Sequence, residues 1–162
     1  MTNIAVKLAA EREIDSHIDN IVRAVAKRVA ALGDVPQLEE SQLNNLVNVA
    51  DHTTSQEAVT NFIRYQIGRD RNGDKWACRG FGAEVIKDIE KEDRVIQTAL
   101  KAVVAKVPLS NENNVVRARL IALYTGYLTR TYVYAKSRAE YARELSDRVD
   151  VLDKPREATA NV

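Results

Sequence analysis

The chain has 162 residues, of which 45% are hydrophobic and 29% charged, and its formal net charge at pH 7 is +1. This composition is typical of one folded globular domain and argues against a disordered chain. Six glycines and three prolines supply too few turns for an all-β sandwich or barrel. No apolar run approaches the roughly 18 residues of a membrane span, and residues 1–16 lack the layout of a signal peptide. Cys78 is the only cysteine, so we expect no internal disulfide and a cytoplasmic location.

Helical periodicity dominates the first part of the chain. An apolar stripe with spacings of three and four predicts a helix from about 11 to 32 that ends at Gly33. A short second helix is predicted over 38–50. A third helix follows Thr54, which together with Glu57 fits a capping box.

The second part of the chain contains a loop and then longer helices. Four of the six glycines fall within residues 68–82, which predicts a substantial loop with Trp76 as its anchor. A helical stretch follows over 83–106, as one helix or two. Ser110 or Asn111 can cap the last helix, which keeps near-heptad spacing for about 35 residues, and the pattern is lost over 148–162.

These elements predict an all-α fold, a compact bundle of about five or six helices with a long C-terminal helix. We expect a single helical domain over 1–147 and a frayed or disordered tail over 148–162. On the last helix, tyrosines spaced by seven, including Tyr134 and Tyr141, form a seam that we expect to pack against other helices. Tyr132 lies off that seam and is the best candidate for an exposed contact.

Charge is segregated along the chain although the total is near zero. Residues 30–62 hold five acids and no Lys or Arg, residues 64–79 hold five bases against two acids, and residues 113–139 hold five bases and no acid. Eight of those ten bases are Arg, whose planar guanidinium can donate two hydrogen bonds to one phosphate. The pattern favours a basic side that neutralises phosphates. A protein–protein face and an ordinary solvated surface stay open as alternatives.

The spacing of the bases supports a shared side. Arg119 and Arg130 are eleven residues apart, close to three helical turns, so they point the same way. Arg64 and Arg71 are seven apart and also share a side. We therefore expect cations that are separated along the chain to converge on one patch.

Little in the sequence points to catalysis. The two histidines and the cysteine are far apart in the sequence and fit no zinc motif, so we expect no metal site, no cofactor and no catalytic residue. Arg12 and His17 match the R-x4-H pattern of helical metal-free ribonucleases, in which the two side chains act on a phosphodiester. A small ribonuclease of this kind is therefore an alternative function.

Two segments of the chain resemble a known family. The first is TTSQEAVTNFIRYQIGRDRNGDKW, from Thr53 to Trp76, and the second is NNVVRARLIALYTGYLTRTYVYAKSR, from Asn113 to Arg138. A capped helix that leads into a basic, glycine-containing loop with Trp, followed by a basic, tyrosine-rich last helix, resembles the small helical subunit of type III CRISPR effector complexes.

The resemblance implies a non-enzymatic structural subunit of an RNA-guided ribonucleoprotein. Its partners would be the guide RNA–target duplex or a single-stranded RNA backbone, other effector-complex subunits and further copies of itself in a head-to-tail stack, with no membrane. A basic face would hold target-strand phosphates without reading bases. A helical protein–protein adaptor or oligomeric scaffold without nucleic acid is the other alternative. On this sequence the phosphate-binding role falls on Arg64, Arg69, Arg71, Lys75, Arg117, Arg119 and Arg130.

Overall fold

Helices and their connections make up the part of the chain that the structure, a computed structural model, describes: residues 4–33, 38–108, 112–137 and 139–153. No strand occurs among these residues, which confirms the all-α prediction. None of the described helices is long and apolar enough to cross a membrane. A one-turn 3-10 helix spans Cys78–Gly80. The α-helices are α1 (Ile4–Ser16), α2 (Ile18–Ala30), α3 (Glu40–Asp51), α4 (Gln56–Arg69), α5 (Phe81–Glu90), α6 (Val95–Lys106), α7 (Asn113–Ser137) and α8 (Ala139–Asp153).

These eight described helices outnumber the predicted five or six because the apolar periodicity continues across breaks in the backbone. The stripe predicted over 11–32 divides at His17, between α1 and α2. The stretch 83–106 divides at the charged connection 91–94, where Arg94 is extended with φ −100° and ψ 169°. It is therefore two helices.

The long C-terminal helix is α7, with 25 residues, and it is shorter than predicted because the chain turns back into α8. The rings of Tyr134 and Tyr141 stack with their centroids 4.4 Å apart, whereas residues seven apart on a straight helix are separated by about 10 Å. Helix α8 packs against α7 and α2. It includes residues 148–153 of the predicted tail, and residues 154–162 lie outside the described residues.

Helix α7 lies at the centre of the bundle and contacts α2, α3, α6 and α8. Its Leu120 and Leu128 are fully buried, as are Ile21 and Val25 of the α2 stripe. Burial of each such side chain contributes about 1.5–3 kcal/mol before entropy is counted. A helix with neighbours on several sides buries more than one stripe.

Tyr132 shows the consequence of this central position. It is 1% exposed, and its hydroxyl donates a hydrogen bond to the Leu38 carbonyl oxygen at 2.5 Å. The prediction of an exposed Tyr132 is therefore wrong. Tyr134, which belongs to the seam predicted to pack, is 43% exposed, because the reversal of the chain leaves its ring at the edge of the bundle against α8.

The start of α4 lies one residue later than predicted. Ser55 is the N-cap, and its hydroxyl accepts a hydrogen bond from the Ala58 N–H at 3.2 Å. The capping box predicted with Thr54 is therefore wrong. Glu57 falls in the first turn of α4, where a negative charge suits the helix dipole.

Candidate nucleic-acid interface

The structure divides the seven predicted phosphate-binding side chains between α7 and a second region, α4 with the loop that follows it. On α7, Arg119 lines the same surface depression as residues 50–54, which directly precede α4. Helix α4 has 14 residues, which corresponds to about 20 Å. Arg119 therefore lies near the N-terminal end of α4, whereas Arg69, Arg71 and Lys75 lie at or after its C-terminal end.

Arg64, in the middle of α4, is held by groups of this chain. One guanidinium nitrogen lies 2.9 Å from both carboxylate oxygens of Glu90, and another donates to the Thr60 hydroxyl at 3.1 Å. The ion pair between Arg64 and Glu90 connects α4 to the end of α5. A phosphate at this position would have to compete with the Glu90 carboxylate.

The α7 bases also have partners within the chain. Arg117 donates to the Asn114 side-chain oxygen at 3.0 Å. The Arg119 Nε lies 3.8 Å from a carboxylate oxygen of Glu11 in α1. Arg130 stands over its neighbouring Tyr127, with 5.4 Å between the guanidinium carbon and the ring centroid. Each of these three bases on α7 therefore contacts a different neighbour: one in α1 and two in α7 itself.

Four exposed side chains lie at the C-terminal end of α4 and in the loop after it. We call Tyr65, Arg69, Arg71 and Lys75 the α4-end cluster. Tyr65 is 58% exposed, and the Arg69 guanidinium carbon lies 5.3 Å from the centroid of its ring. None of the three cations has a carboxylate partner among the residues that the structure describes.

Asp70, the acid between Arg69 and Arg71, is engaged by the backbone instead. Its carboxylate accepts hydrogen bonds from the N–H groups of Lys75 at 2.9 Å and Ala77 at 2.8 Å. Partial burial opposes ionisation, but the N–H groups of Ala77 and Lys75 outweigh it and lower the pKa of the Asp70 carboxyl. The bonded carboxylate fixes the shape of the loop that carries Arg71 and Lys75.

Trp76 anchors the same loop, as predicted. Its side chain is fully buried, and its ring centroid lies 5.9 Å from that of Phe81. Its carbonyl accepts a hydrogen bond from the Gly82 N–H at 2.7 Å. A Cβ at Gly82 would lie 2.9 Å from that carbonyl oxygen and 2.8 Å from the Ile67 side chain, so only glycine lets α5 approach α4 this closely.

The α4-end cluster combines the two components of a sequence-tolerant nucleic-acid contact. Guanidinium and ammonium groups bind phosphate oxygens. An exposed tyrosine offers a ring on which a base can stack, and a guanidinium above the ring adds a cation–π contribution.

An ionic cluster around a buried aspartate is the feature that sequence reasoning missed. Asp88, which is 2% exposed, accepts two hydrogen bonds from Arg28 at 2.8 and 3.3 Å, one from Arg94 at 3.2 Å and one from the Tyr124 hydroxyl at 2.7 Å. Both arginines also donate to Glu84, at 3.2 and 3.3 Å. We call these five side chains the Asp88 network.

A sequence signal for the Asp88 network does exist. Asp88 follows Val85 by three residues and precedes Ile89, so it interrupts the apolar side of α5, and an acid there predicts a buried cationic partner. Burial, with the neighbouring Asp88 charge, raises the pKa of the fully buried Tyr124 hydroxyl well above its usual value. The hydrogen bonds of the network join α2, α5 and α7.

The histidine of the R-x4-H pattern lies at the junction of α1 and α2. The His17 Nε2 is 3.3 Å from a carboxylate oxygen of Glu13, which also accepts a hydrogen bond from Lys106 at 2.8 Å. Arg12 is exposed. Among the described residues, no three His, Cys, Asp or Glu side chains are grouped so that they could hold a metal ion.

Comparison of the chain with protein-family models, with curated proteins and with solved structures finds no match.

Proposed function

We propose that this chain is a non-enzymatic protein that holds a nucleic-acid backbone at the α4-end cluster without reading the base sequence. The observation that carries the proposal is a set of three exposed cations on the end of α4 and the loop after it, which have no carboxylate partner within the described residues, one of them over an exposed tyrosine ring. Arg69 and Arg71 supply guanidinium forks, and Lys75 supplies a third positive charge. Such contacts bind phosphate irrespective of sequence.

We propose further, on the resemblance of the segments 53–76 and 113–138, that the chain is a structural subunit of an RNA-guided CRISPR ribonucleoprotein. The α4-end cluster falls within the first of these segments. In that setting it would contact phosphates of the target strand, and Arg64 and Arg119, which lie beside carboxylates of this chain, would serve mainly to hold the chain together. A CRISPR array or effector genes beside the gene for this chain would support this assignment, and neighbours of unrelated function would count against it.

The binding test compares two triple variants with the same change in net charge. Arg69→Ala/Arg71→Ala/Lys75→Ala removes the cations of the cluster. The matched control, Lys7→Ala/Lys91→Ala/Arg143→Ala, removes three other exposed bases that have no carboxylate partner in the described part of the chain. Fluorescence anisotropy with a labelled oligouridine of about 20 nucleotides, long enough for several contacts, measures the affinity.

We expect the cluster variant to bind the RNA about ten- to a hundredfold more weakly at physiological ionic strength, and the control variant to stay within about twofold of the wild type. The same loss is expected on a mixed-sequence RNA of equal length. Equal losses in both variants would show that net charge alone is responsible, and an unchanged affinity in the cluster variant would also overturn the proposal. Gel analysis of the recovered RNA tests the ribonuclease alternative, because cleavage that His17→Ala abolishes would make the chain an enzyme.

A further inference from the structure

A groove of about 460 Å³ lies between α2, α7 and α8, away from the α4-end cluster. Its volume falls within the range of about 300–1,000 Å³ that small-molecule sites occupy. The groove exists because the chain reverses after α7 and packs α8 beside α2, which the sequence pattern did not predict. We call it the α2–α7–α8 groove.

The floor of the groove is apolar. Ala26 and Leu145 are buried at its base, and Val22, at 37% exposure, presents its side chain beside them. Tyr134 forms one wall. Its ring is fixed by stacking on Tyr141, and its hydroxyl donates to the Glu144 carboxylate at 2.9 Å. A rigid apolar floor suits a flat or elongated hydrocarbon body.

The rim of the groove is cationic. Arg23, Arg130 and Arg148 line it, one from each of the three helices, and all are exposed. None of them has a carboxylate partner among the described side chains. Asp19 is the one acid in the lining, so three guanidinium groups against one carboxylate leave an excess of two positive charges. Like charges around one groove repel one another, and an anion bound between them relieves that repulsion.

We propose that the α2–α7–α8 groove binds an amphipathic organic anion, with an aromatic or acyl body on the apolar floor and a carboxylate, sulfonate or phosphate group between the arginines. Guanidinium groups suit such a headgroup because their planar forks donate paired hydrogen bonds to its oxygens. The site does not depend on the proposed function, since it contains no residue of the α4-end cluster.

The test uses the full chain and a pair of dyes that differ in charge. Anilinonaphthalene sulfonate has an aromatic body and an anionic group, and N-phenylnaphthylamine has a similar body without the charge. Fluorescence titration should show the anionic dye binding at least about tenfold more tightly than the neutral dye, in line with the strength of charge-assisted hydrogen bonds. Equal affinities of the two dyes would overturn the proposal.

Two double variants locate the bound dye. Arg23→Gln/Arg148→Gln removes two rim charges and should lower the affinity for the anionic dye about tenfold while leaving that for the neutral dye nearly unchanged. Arg12→Gln/Arg143→Gln removes two exposed arginines outside the lining and should leave both affinities unchanged. An equal effect of the two variants, or no effect of the groove variant, would overturn the proposal. Thermal unfolding followed by circular dichroism verifies that each variant is folded at the titration temperature.

A cross-test separates this site from the nucleic-acid interface. The Arg69→Ala/Arg71→Ala/Lys75→Ala variant should bind the anionic dye as the wild type does, and Arg23→Gln/Arg148→Gln should bind oligouridine as the wild type does. If the groove variant loses RNA affinity to the same extent as dye affinity, the groove is part of a nucleic-acid path and the independent ligand site is refuted. Failure of RNA binding alone refutes only the proposed function.

Discussion

The Asp88 network and the α4-end cluster use arginine in opposite ways. In the network, the Arg28 side chain is 13% exposed and bonds to two carboxylates of α5. In the cluster, Arg69 is exposed and lies over the ring of Tyr65. The comparison shows that the acids on the adjacent helix, rather than the bases themselves, determine which arginines are available to a ligand.

The difference originates in where the acids point. Helix α5 carries Glu84 and Asp88 on the side that faces α2, and their carboxylates reach Arg28. At the end of α4, Asp70 turns its carboxylate to backbone N–H groups. A count of bases along the chain cannot separate these two situations.

The largest expected effect comes from breaking the Asp88 network. Asp88→Ala removes the more deeply buried of the two carboxylates that Arg28 and Arg94 share, and it removes the partner of the Tyr124 hydroxyl. Removal of one partner of a buried ion pair costs about 3–5 kcal/mol, so we expect the free energy of unfolding in urea to fall by about that amount. Asp93→Ala, at an exposed position of the next connection, is the control and should change it by less than about 0.5 kcal/mol. Similar losses in both variants would contradict the structural role of the network.

The support of the α4-end cluster can be tested at two glycines. Gly82→Ala places a Cβ against the Trp76 carbonyl oxygen and the Ile67 side chain, and overpacking of this kind costs about 1–3 kcal/mol. Gly68→Ala, on the exposed side of α4 with no atom within 4 Å of the new Cβ, should stabilise by about 0.5–1 kcal/mol. Urea unfolding measures both changes. The same sign for the two variants would show that the close approach of α5 to the loop is not as described.

The Asp88 network also predicts a loss of stability at high pH. The Tyr124 pKa is raised by burial and by the neighbouring Asp88 charge, so above about pH 10 the unfolded chain loses this proton while the folded chain keeps it. Stability is therefore complete below pH 10 and falls as pH rises, by up to about 1.4 kcal/mol per pH unit for this group.

Tyr132 adds a second contribution of the same sign, because burial raises its pKa to about 12. Unfolding free energies between about pH 8 and pH 11 should fall less steeply for Tyr124→Phe than for the wild type. Parallel pH profiles would mean that Tyr124 ionises as readily in the folded chain as in the unfolded chain.

The smallest expected effect is on RNA affinity when a paired arginine is removed. Arg64 already donates to both oxygens of Glu90, so Arg64→Ala should change oligouridine affinity by no more than about twofold and stability by about 0.2–1 kcal/mol. Arg69→Ala, only five residues further along α4, should weaken binding by several-fold. If Arg64→Ala weakens binding as much as Arg69→Ala, pairing with a carboxylate does not decide which bases bind RNA.

The sequence predicted features whose causes are local. The helical class follows from apolar spacing, and the anchored loop around Trp76 follows from its glycines. The breaks at His17 and at 91–94 escaped prediction because the apolar spacing continues through them. The burial of Tyr132 depends on its contact with Leu38, 94 residues away along the chain.

The pairing of arginines with carboxylates was equally inaccessible from the sequence. The carboxylate that holds Arg64 lies 26 residues away at Glu90, and the one that holds Arg28 lies 60 residues away at Asp88. Seven bases with similar sequence surroundings were therefore assigned one role. Only the packing of α4 on α5 and of α1 near α7 separates Arg64 and Arg119 from the cations of the α4-end cluster.

The most direct test of the central claim is the salt dependence of RNA binding. Each cation that neutralises a phosphate of single-stranded RNA contributes about 0.7 to the slope of log K against log salt concentration. Oligouridine titrations over a series of KCl concentrations should therefore give a slope shallower by about two for Arg69→Ala/Arg71→Ala/Lys75→Ala than for the wild type. Parallel lines for the two proteins would contradict the claim that the α4-end cluster holds the phosphate backbone.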